Sequence, residues 1–488
     1  MTPVILACDL GTSSCKLAAF DATGEMRATA SAPYPTNAVG TRVEQDPADW
    51  QRAFRVAVAE FTAGGHLRDA ACIAFTGQMS AALPVDAGAN ALRPCLIWSD
   101  QRASAEVSAI EAAIGREAFY LITGNPISST YTIAKALWIA RHEPDVYRAT
   151  TCFLQPKDWL IAQLTGVMAV DMSDASCTGL LDLTRGTWDS NLATAVGLDA
   201  RKLPPIAPGT AVIGRVTAAG AATSGLPKGL PVVLGGGDGP TSALGAGIVR
   251  SGQSYVSLGT SAWVSFISAE AVVDPGQRIF SLRHVVGGLF AHTGATQNAA
   301  NALSWLTGDI LGGTTLEGSL AATEAGADGL LCLPYLNGER TPYWSSDAAG
   351  VFFGLRPQHR PAHMVRALAE GVCHHLRLIT DVFADLGMSS AEIVALGGLA
   401  HVPAFVRLLA SAVGKPHLVG ASAGQTTCRG AAMMGAVGIG LFPSADDMTD
   451  WIAATQSVGP DRDVAARMAL DHPRFLDLYQ RLAPLFKR

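Results

Sequence analysis

The sequence predicts an α/β protein built from two similar halves. Two observations carry this expectation. The tetrapeptide Leu-Gly-Thr-Ser stands at Leu10 and again at Leu258, each time between two apolar runs, and strand-like runs alternate with helical patterns through all 488 residues. Such alternation argues for α/β layers. A hairpin heading each half argues for duplication of a whole domain rather than for a short solenoid period. At about 150 residues per domain as a soft prior, the length suits two large domains.

In the first half, residues 4–9 and 15–21 read as the arms of a hairpin, and 26–32 follow the turn at Ala22-Thr23-Gly24-Glu25 as a third strand. Residues 47–61 and 132–143 carry helical periodicity, and 71–76 and 231–234 read as short buried strands. The glycine-rich segment 243–251 joins the halves, which are taken as 1–245 and 246–488. The second half repeats the opening: residues 253–258, the turn, then 263–268. A long helix is expected over 360–386, a strand over 392–396 and a helix over 403–413.

Composition narrows the function. The chain is 49% hydrophobic and 16% charged, with net charge -6 and no block of Lys or Arg, so nothing in it calls for nucleic acid or an anionic membrane. Nine scattered cysteines without a Cys-x-x-Cys pair signal neither a disulfide framework nor a zinc site. With no secretory signal and no apolar run of membrane-spanning length, a cytoplasmic protein is expected. Its oligomeric state is open, a homodimer included.

Four glycine-containing stretches carry chemistry. The turns Gly11-Thr12-Ser13 and Gly259-Thr260-Ser261 present backbone N–H groups and hydroxyls with little bulk, which suits phosphate oxygens. One copy alone would pass for an ordinary hairpin turn, whereas two facing each other would hold a polyphosphate from both sides. A Walker-type loop is excluded, because the Gly414-Lys415 pair is followed by Pro416. In Gly235-Gly236-Gly237-Asp238, the carboxylate stands where a helix begins. An N-cap explains it in part, but a cap does not need three preceding glycines, and a carboxylate there can take the proton of an attacking hydroxyl. Gly397-Gly398 lies between a strand and a helix, bare enough to admit a flat ring and equally a common packing solution.

Taken in order and spacing, Asp9-x-Gly-Thr-Ser, Gly236-Gly237-Asp238, the second Gly-Thr-Ser and Gly397-Gly398 resemble the FGGY carbohydrate kinases of the actin, Hsp70 and sugar kinase superfamily. Within that family the segments 43–50, 75–79, 98–102, 156–160, 171–176 and 333–342 are most similar to those of xylulokinases. The resemblance implies two ribonuclease H-like domains around a deep central cleft, with sugar held mainly by the first domain and nucleotide by the second. It implies ATP and Mg²⁺ as cofactors, Asp238 as the catalytic base, and Asp9 as the carboxylate that positions the metal-bound nucleotide. Gly11, Thr12, Ser13, Gly259, Thr260 and Ser261 would then bind phosphate, and Gly397 and Gly398 would border the adenosine. Gln78, Met79, Ser80, Trp98, Asp100, Arg102 and Gly239 are the candidate sugar contacts, with a structural ion pair as the other reading of Asp100 and Arg102.

Two departures stand at that sugar site. Xylulokinases usually follow Gly-Gln-Met with His and Gly, where this chain has Ser80 and Ala81, and often place Asn after the base, where this chain has Gly239. The kinase chemistry is untouched, but the hydrogen bonds offered to the sugar differ. D-xylulose is therefore the simplest acceptor, and another ketose, a polyol or a sugar acid is the alternative. From a different class, an actin-like or Hsp70-like nucleotide-dependent scaffold shares the two-turn clamp but has no reason to carry the sugar-pocket segments. Asp9 heads only the first turn, and Ser257 holds its place in the second, where another anion would repel the phosphates. His374 and His375 lack ligand-spaced partners and are assigned to packing or surface, and Glu339 and Arg340 to a structural turn.

Overall fold

The strand Val4–Leu10 (β1) is buried along nearly its whole length because both its faces are covered. Leu6, Cys8 and Leu10 share an apolar cluster with Trp50, Phe54 and Phe61. Ile5 and Ala7, pointing the other way, share one with Met433 and Met434. The computed structural model describes residues 3–420, 425–452 and 455–487, so the outermost limits of the two expected domains, residues 1 and 488, lie outside the described residues.

Two sheets organise the chain. The first runs Val212–Arg215, Pro231–Gly237, Ala70–Gly77, β1, Ser14–Phe20, Met26–Pro33, a six-stranded order. The second, seven-stranded, runs Phe280–Arg283, Phe290–Thr296, Ala262–Ser268, Ser254–Leu258, Ile393–Leu396, His417–Gly420, Thr455–Val458. Read outward from β1 and from Ser254–Leu258, the pairings agree. Each strand has an antiparallel hairpin partner on one side, itself paired antiparallel to a further strand. On the other side each has two parallel strands and then an antiparallel edge. The duplication expected from the doubled tetrapeptide is thus present as two copies of one strand-pairing pattern, the second with an added edge strand, although the antiparallel edge precedes its neighbour in the chain in the first sheet and follows it in the second.

The helix over 47–61 is observed as Pro47–Ala63, opened by Asp46, whose side chain accepts from the Ala48 amide. The long helix is Pro361–Asp385. Among the described residues no helix is long and apolar enough to cross a membrane.

Two further helices position the cleft. Helix α1, here Asp238–Gly245, directs Leu244 into the first sheet's core and the adjacent Ala243 into a cluster with Tyr255 and Ile267 of the second. It is wedged between the halves. Helix α2, Thr426–Gly438, comes from late in the chain yet lies on the first sheet and against α1. Their backbones nearly touch: a Cβ on Gly245 would lie 1.9 Å from the Thr426 carbonyl oxygen, and one on Gly430 2.0 Å from that of Thr241.

Candidate active site

The first Gly-Thr-Ser turn is closed by its own backbone and anchored by Tyr34, Gln45 and Trp98. The Gly11 amide donates to the Ser14 carbonyl (3.1 Å), the Tyr34 hydroxyl donates to the Gly11 carbonyl, and the Gln45 side-chain amide donates to the Thr12 carbonyl (2.7 Å). The Trp98 indole donates to the Thr12 hydroxyl at 3.0 Å. In the second turn the Gly259 and Thr260 carbonyls accept from the amides of Ala300 and Asn301, each at 3.1 Å. Ser13 and Thr260 stand exposed at the turn tips. Gly397, in the left-handed region at φ 89°, passes so close that a Cβ would fall 2.7 Å from the Leu258 carbonyl oxygen, while Gly398 is exposed and opens a short 3-10 helix.

A cavity of about 230 Å³ opens between the halves. Asp9, Gly11, Asp238, Gly239 and Ser242 line it from the first; Tyr255, Ser257, Trp263, Leu396 and Gly397 line it from the second. Of the residues singled out in the sequence, it joins Asp9, Gly11, Asp238, Gly239, Ser257 and Gly397. Burial pushes the Asp238 carboxyl up to about 7, with the Asp9 charge adding to the effect. Burial likewise raises Asp9 to about 6. Asp238 occupies the first helical position rather than the cap: the cap residue is Gly237, and Asp238 Oδ1 accepts from the Gly239 amide at 2.8 Å. Asp9 Oδ1 is buried without a hydrogen-bond partner among the described residues. An oxygen donor of that kind, at a phosphate-sized turn, fits a hard, oxygen-seeking cation such as Mg²⁺.

The candidate sugar contacts lie beside this cavity with differing freedom. Gln78 is buried and donates to Gln45 Oε1 (2.7 Å) and to the Gly11 carbonyl (3.4 Å), so it braces the first turn. Met79 packs on Gly237, where a Cβ would meet its sulfur at 2.4 Å. Ser80 sits in the left-handed region at φ 60°, a costly backbone for a residue with a Cβ. Its carbonyl accepts from the buried Lys135 ammonium at 2.6 Å. Asp100 and Arg102 are an ion pair at 2.7 Å, with Arg102 also 2.8 Å from Glu44 and stacked over Trp138, and the Val43 amide donating to Asp100. Both oxygens of Asp100 are therefore occupied, and the pair secures the Trp98 loop.

The remaining conspicuous residues are structural. Glu339 accepts from the Thr296 hydroxyl and from the Gln297 and Arg340 amides, which closes the turn. His374 and His375 are buried, His375 against the Tyr335 hydroxyl and His374 against His472. All nine cysteines are free and buried.

Sequence reading missed Ser242, Trp263, Thr426 and Thr427 in the cavity wall, and Lys135 behind it. The Ser242 and Thr427 hydroxyls are 2.6 Å apart, joining α1 to α2. A Thr-Thr pair opening a glycine-alanine helix was the available signal, but nothing local tells which sheet that helix covers.

The comparisons with known proteins agree with this architecture. Residues 4–245 match the N-terminal domain, and residues 254–439 the C-terminal domain, of the FGGY family of carbohydrate kinases. The chain is 32% identical to the xylulose kinase of Escherichia coli (strain K12), over 98% of this chain and 99% of that one. It is 27% identical to the gluconokinase of Bacillus subtilis (strain 168), over 98% of this chain and 96% of the other. The crystal structure of xylulose kinase from Rhodospirillum rubrum superposes with a TM-score of 0.91 at 32% identity, covering 99% of this chain and 100% of that one. Two copies of one strand-pairing pattern, a cleft between them and matches to both domains along the chain have a single explanation: this protein is a sugar kinase and belongs to the FGGY family of carbohydrate kinases.

Proposed function

We propose that the protein transfers the γ-phosphoryl group of ATP to a primary hydroxyl of D-xylulose, giving D-xylulose 5-phosphate. The observation that carries this reading is a half-buried carboxyl, Asp238, raised to about 7 in a cleft that Asp9 and Gly11 line from the first half and Ser257 and Gly397 from the second. Asp238 takes the proton as the sugar hydroxyl attacks; a base poised near the working pH suits that task. The turns Gly11–Ser13 and Gly259–Ser261 hold the phosphates, Gly397 and Gly398 border the adenosine, and Met79, Ser80, Trp98 and Gly239 border the sugar. Asp9 would hold Mg²⁺, which neutralises phosphate charge when bound. Phosphoryl transfer is mostly positioning and charge neutralisation, so closure of the cleft does the rest. The division of labour follows the halves 1–245 and 246–488, with α2 lent to the first.

The experiment is ADP release against a panel of ketoses, polyols and sugar acids with Mg²⁺. The greatest kcat/KM is expected for D-xylulose, and absence of sugar-dependent ADP release would sink the reading. A second acceptor class is favoured by Ser80, Ala81 and Gly239, and by the likeness to a gluconokinase. Turnover of a sugar acid above every ketose would select it. For Asp9→Ala, productive use of Mg²⁺-ATP is expected to be lost, read as a large rise in the Mg²⁺ concentration needed for half-maximal rate. An unchanged Mg²⁺ dependence would count against Asp9.

A further inference from the structure

Behind the strand Pro231–Gly237, which leads into Asp238, lies a fully buried charge cluster that the proposed chemistry does not use. The Lys157 ammonium contacts Asp158 (2.5 Å), Asp171 (2.8 Å) and Asp174 (3.1 Å). All four side chains are at most 1% exposed. Asp171 faces two ways. One oxygen meets Lys157; the other accepts from the Ser173 amide (2.8 Å) and the Ser173 hydroxyl (2.5 Å).

Donating its proton to Asp171 leaves the Ser173 hydroxyl a lone pair, and this accepts from the Gly237 amide at 3.0 Å. Gly237 is the cap residue immediately before Asp238. The adjoining backbone is hemmed in as well. A Cβ on Gly236 would meet Val285 at 2.4 Å and the Ser173 oxygen at 3.1 Å, and one on Gly237 would meet Met79. One peptide N–H at this junction is thus pinned by a hydroxyl whose orientation is set by a buried ion pair.

We infer that Ser173 is a positioning residue for Asp238, oriented by the Lys157–Asp171 pair, so that a charge cluster away from the substrate sets the aim of the base. The inference rests on Asp238 being that base. A hydroxyl that only filled space or capped the short helix Met172–Ser176 would affect stability, not the chemical step. A residue that aims the base lowers kcat while leaving both KM values in place, because the interaction matters only in the transition state.

The test is steady-state kinetics with D-xylulose and Mg²⁺-ATP on Ser173→Ala, Asp171→Asn and the double variant, alongside Asp238→Asn, with thermal melting of each. Ser173→Ala is expected to lower kcat about tenfold, in line with one lost hydrogen bond, with both KM values nearly unchanged. Asp171→Asn is expected to act in the same direction. The double variant should be little worse than the worse single one, since both act through one hydrogen bond. Wild-type kcat in Ser173→Ala, a change confined to KM, or multiplicative effects in the double variant would each overturn the inference. Full activity in Asp238→Asn would instead remove the base reading, which separates the two failures.

Discussion

Asp238→Asn is expected to lower kcat by about 10²–10⁴ while nucleotide binding stays nearly intact, because the amide keeps the side chain's shape but cannot take a proton. The environment makes the position particular. Burial holds this carboxyl up to about 7, so a large share of the protein carries it as the carboxylate at neutral pH, and because its conjugate acid is weak the carboxylate accepts the proton readily. Its place at the first turn of α1, between the two sheets, would let one half supply the base while the other holds phosphate. Pre-steady-state phosphoryl transfer, with nucleotide affinity measured by titration, reads the two effects apart. A variant that turns over at the wild-type rate would remove Asp238 from the mechanism.

Lys157→Met is expected to destabilise the fold by about 3–5 kcal/mol, the range for removing one partner of a buried ion pair. Three carboxyls converge on this fully buried ammonium. Burial opposes the charge of Lys157, yet the carboxylates outweigh it and hold the ammonium protonated. For Asp171, burial is outweighed in the same way by Lys157 and the Ser173 hydroxyl, and the carboxyl stays below its usual range. Burial keeps Asp158 up at about 6 and Asp174 well above its ordinary value. Carboxyls raised in the folded state bind more protons folded than unfolded, so their contribution to stability falls as pH rises through the raised values. Without the lysine those values rise further. The deficit of Lys157→Met is therefore expected to be larger at alkaline than at mildly acidic pH, as read by denaturant melts. A melt equal to wild type at both would refute this account of the cluster.

The contrast between these residues shows what a sequence conveys. Asp238 was legible because three glycines precede it and a helix follows: local backbone needs announce such a site. The strands flanking the turns were legible because both faces of each are covered, which leaves short, nearly continuous apolar runs. Lys157 stood inside a recognised segment with nothing to distinguish it from a surface lysine. Its partners Asp171 and Asp174 belong to another segment, and only the packing of these elements beneath Pro231–Gly237 makes one cluster of them. Asp100 and Arg102 teach the converse. Polar residues close together near a sugar site read as ligands, and the fold closes them into a pair with each other and Glu44.

The helix Thr426–Gly438 was equally opaque. Its glycines and alanines mark a closely packed helix, but they carry no address, and the fold places it on the sheet of the other half. By itself the sequence determined the duplicated α/β architecture, the two phosphate-sized turns, the lone Asp9 ahead of the first and the carboxylate at the head of α1. These follow from local periodicity and from backbone that only small residues allow. Tertiary structure alone decided which half each late helix covers, which carboxyls are buried together, and which polar groups stay free to face a substrate. Burial and pairing depend on contacts between segments distant along the chain, and no local pattern encodes them.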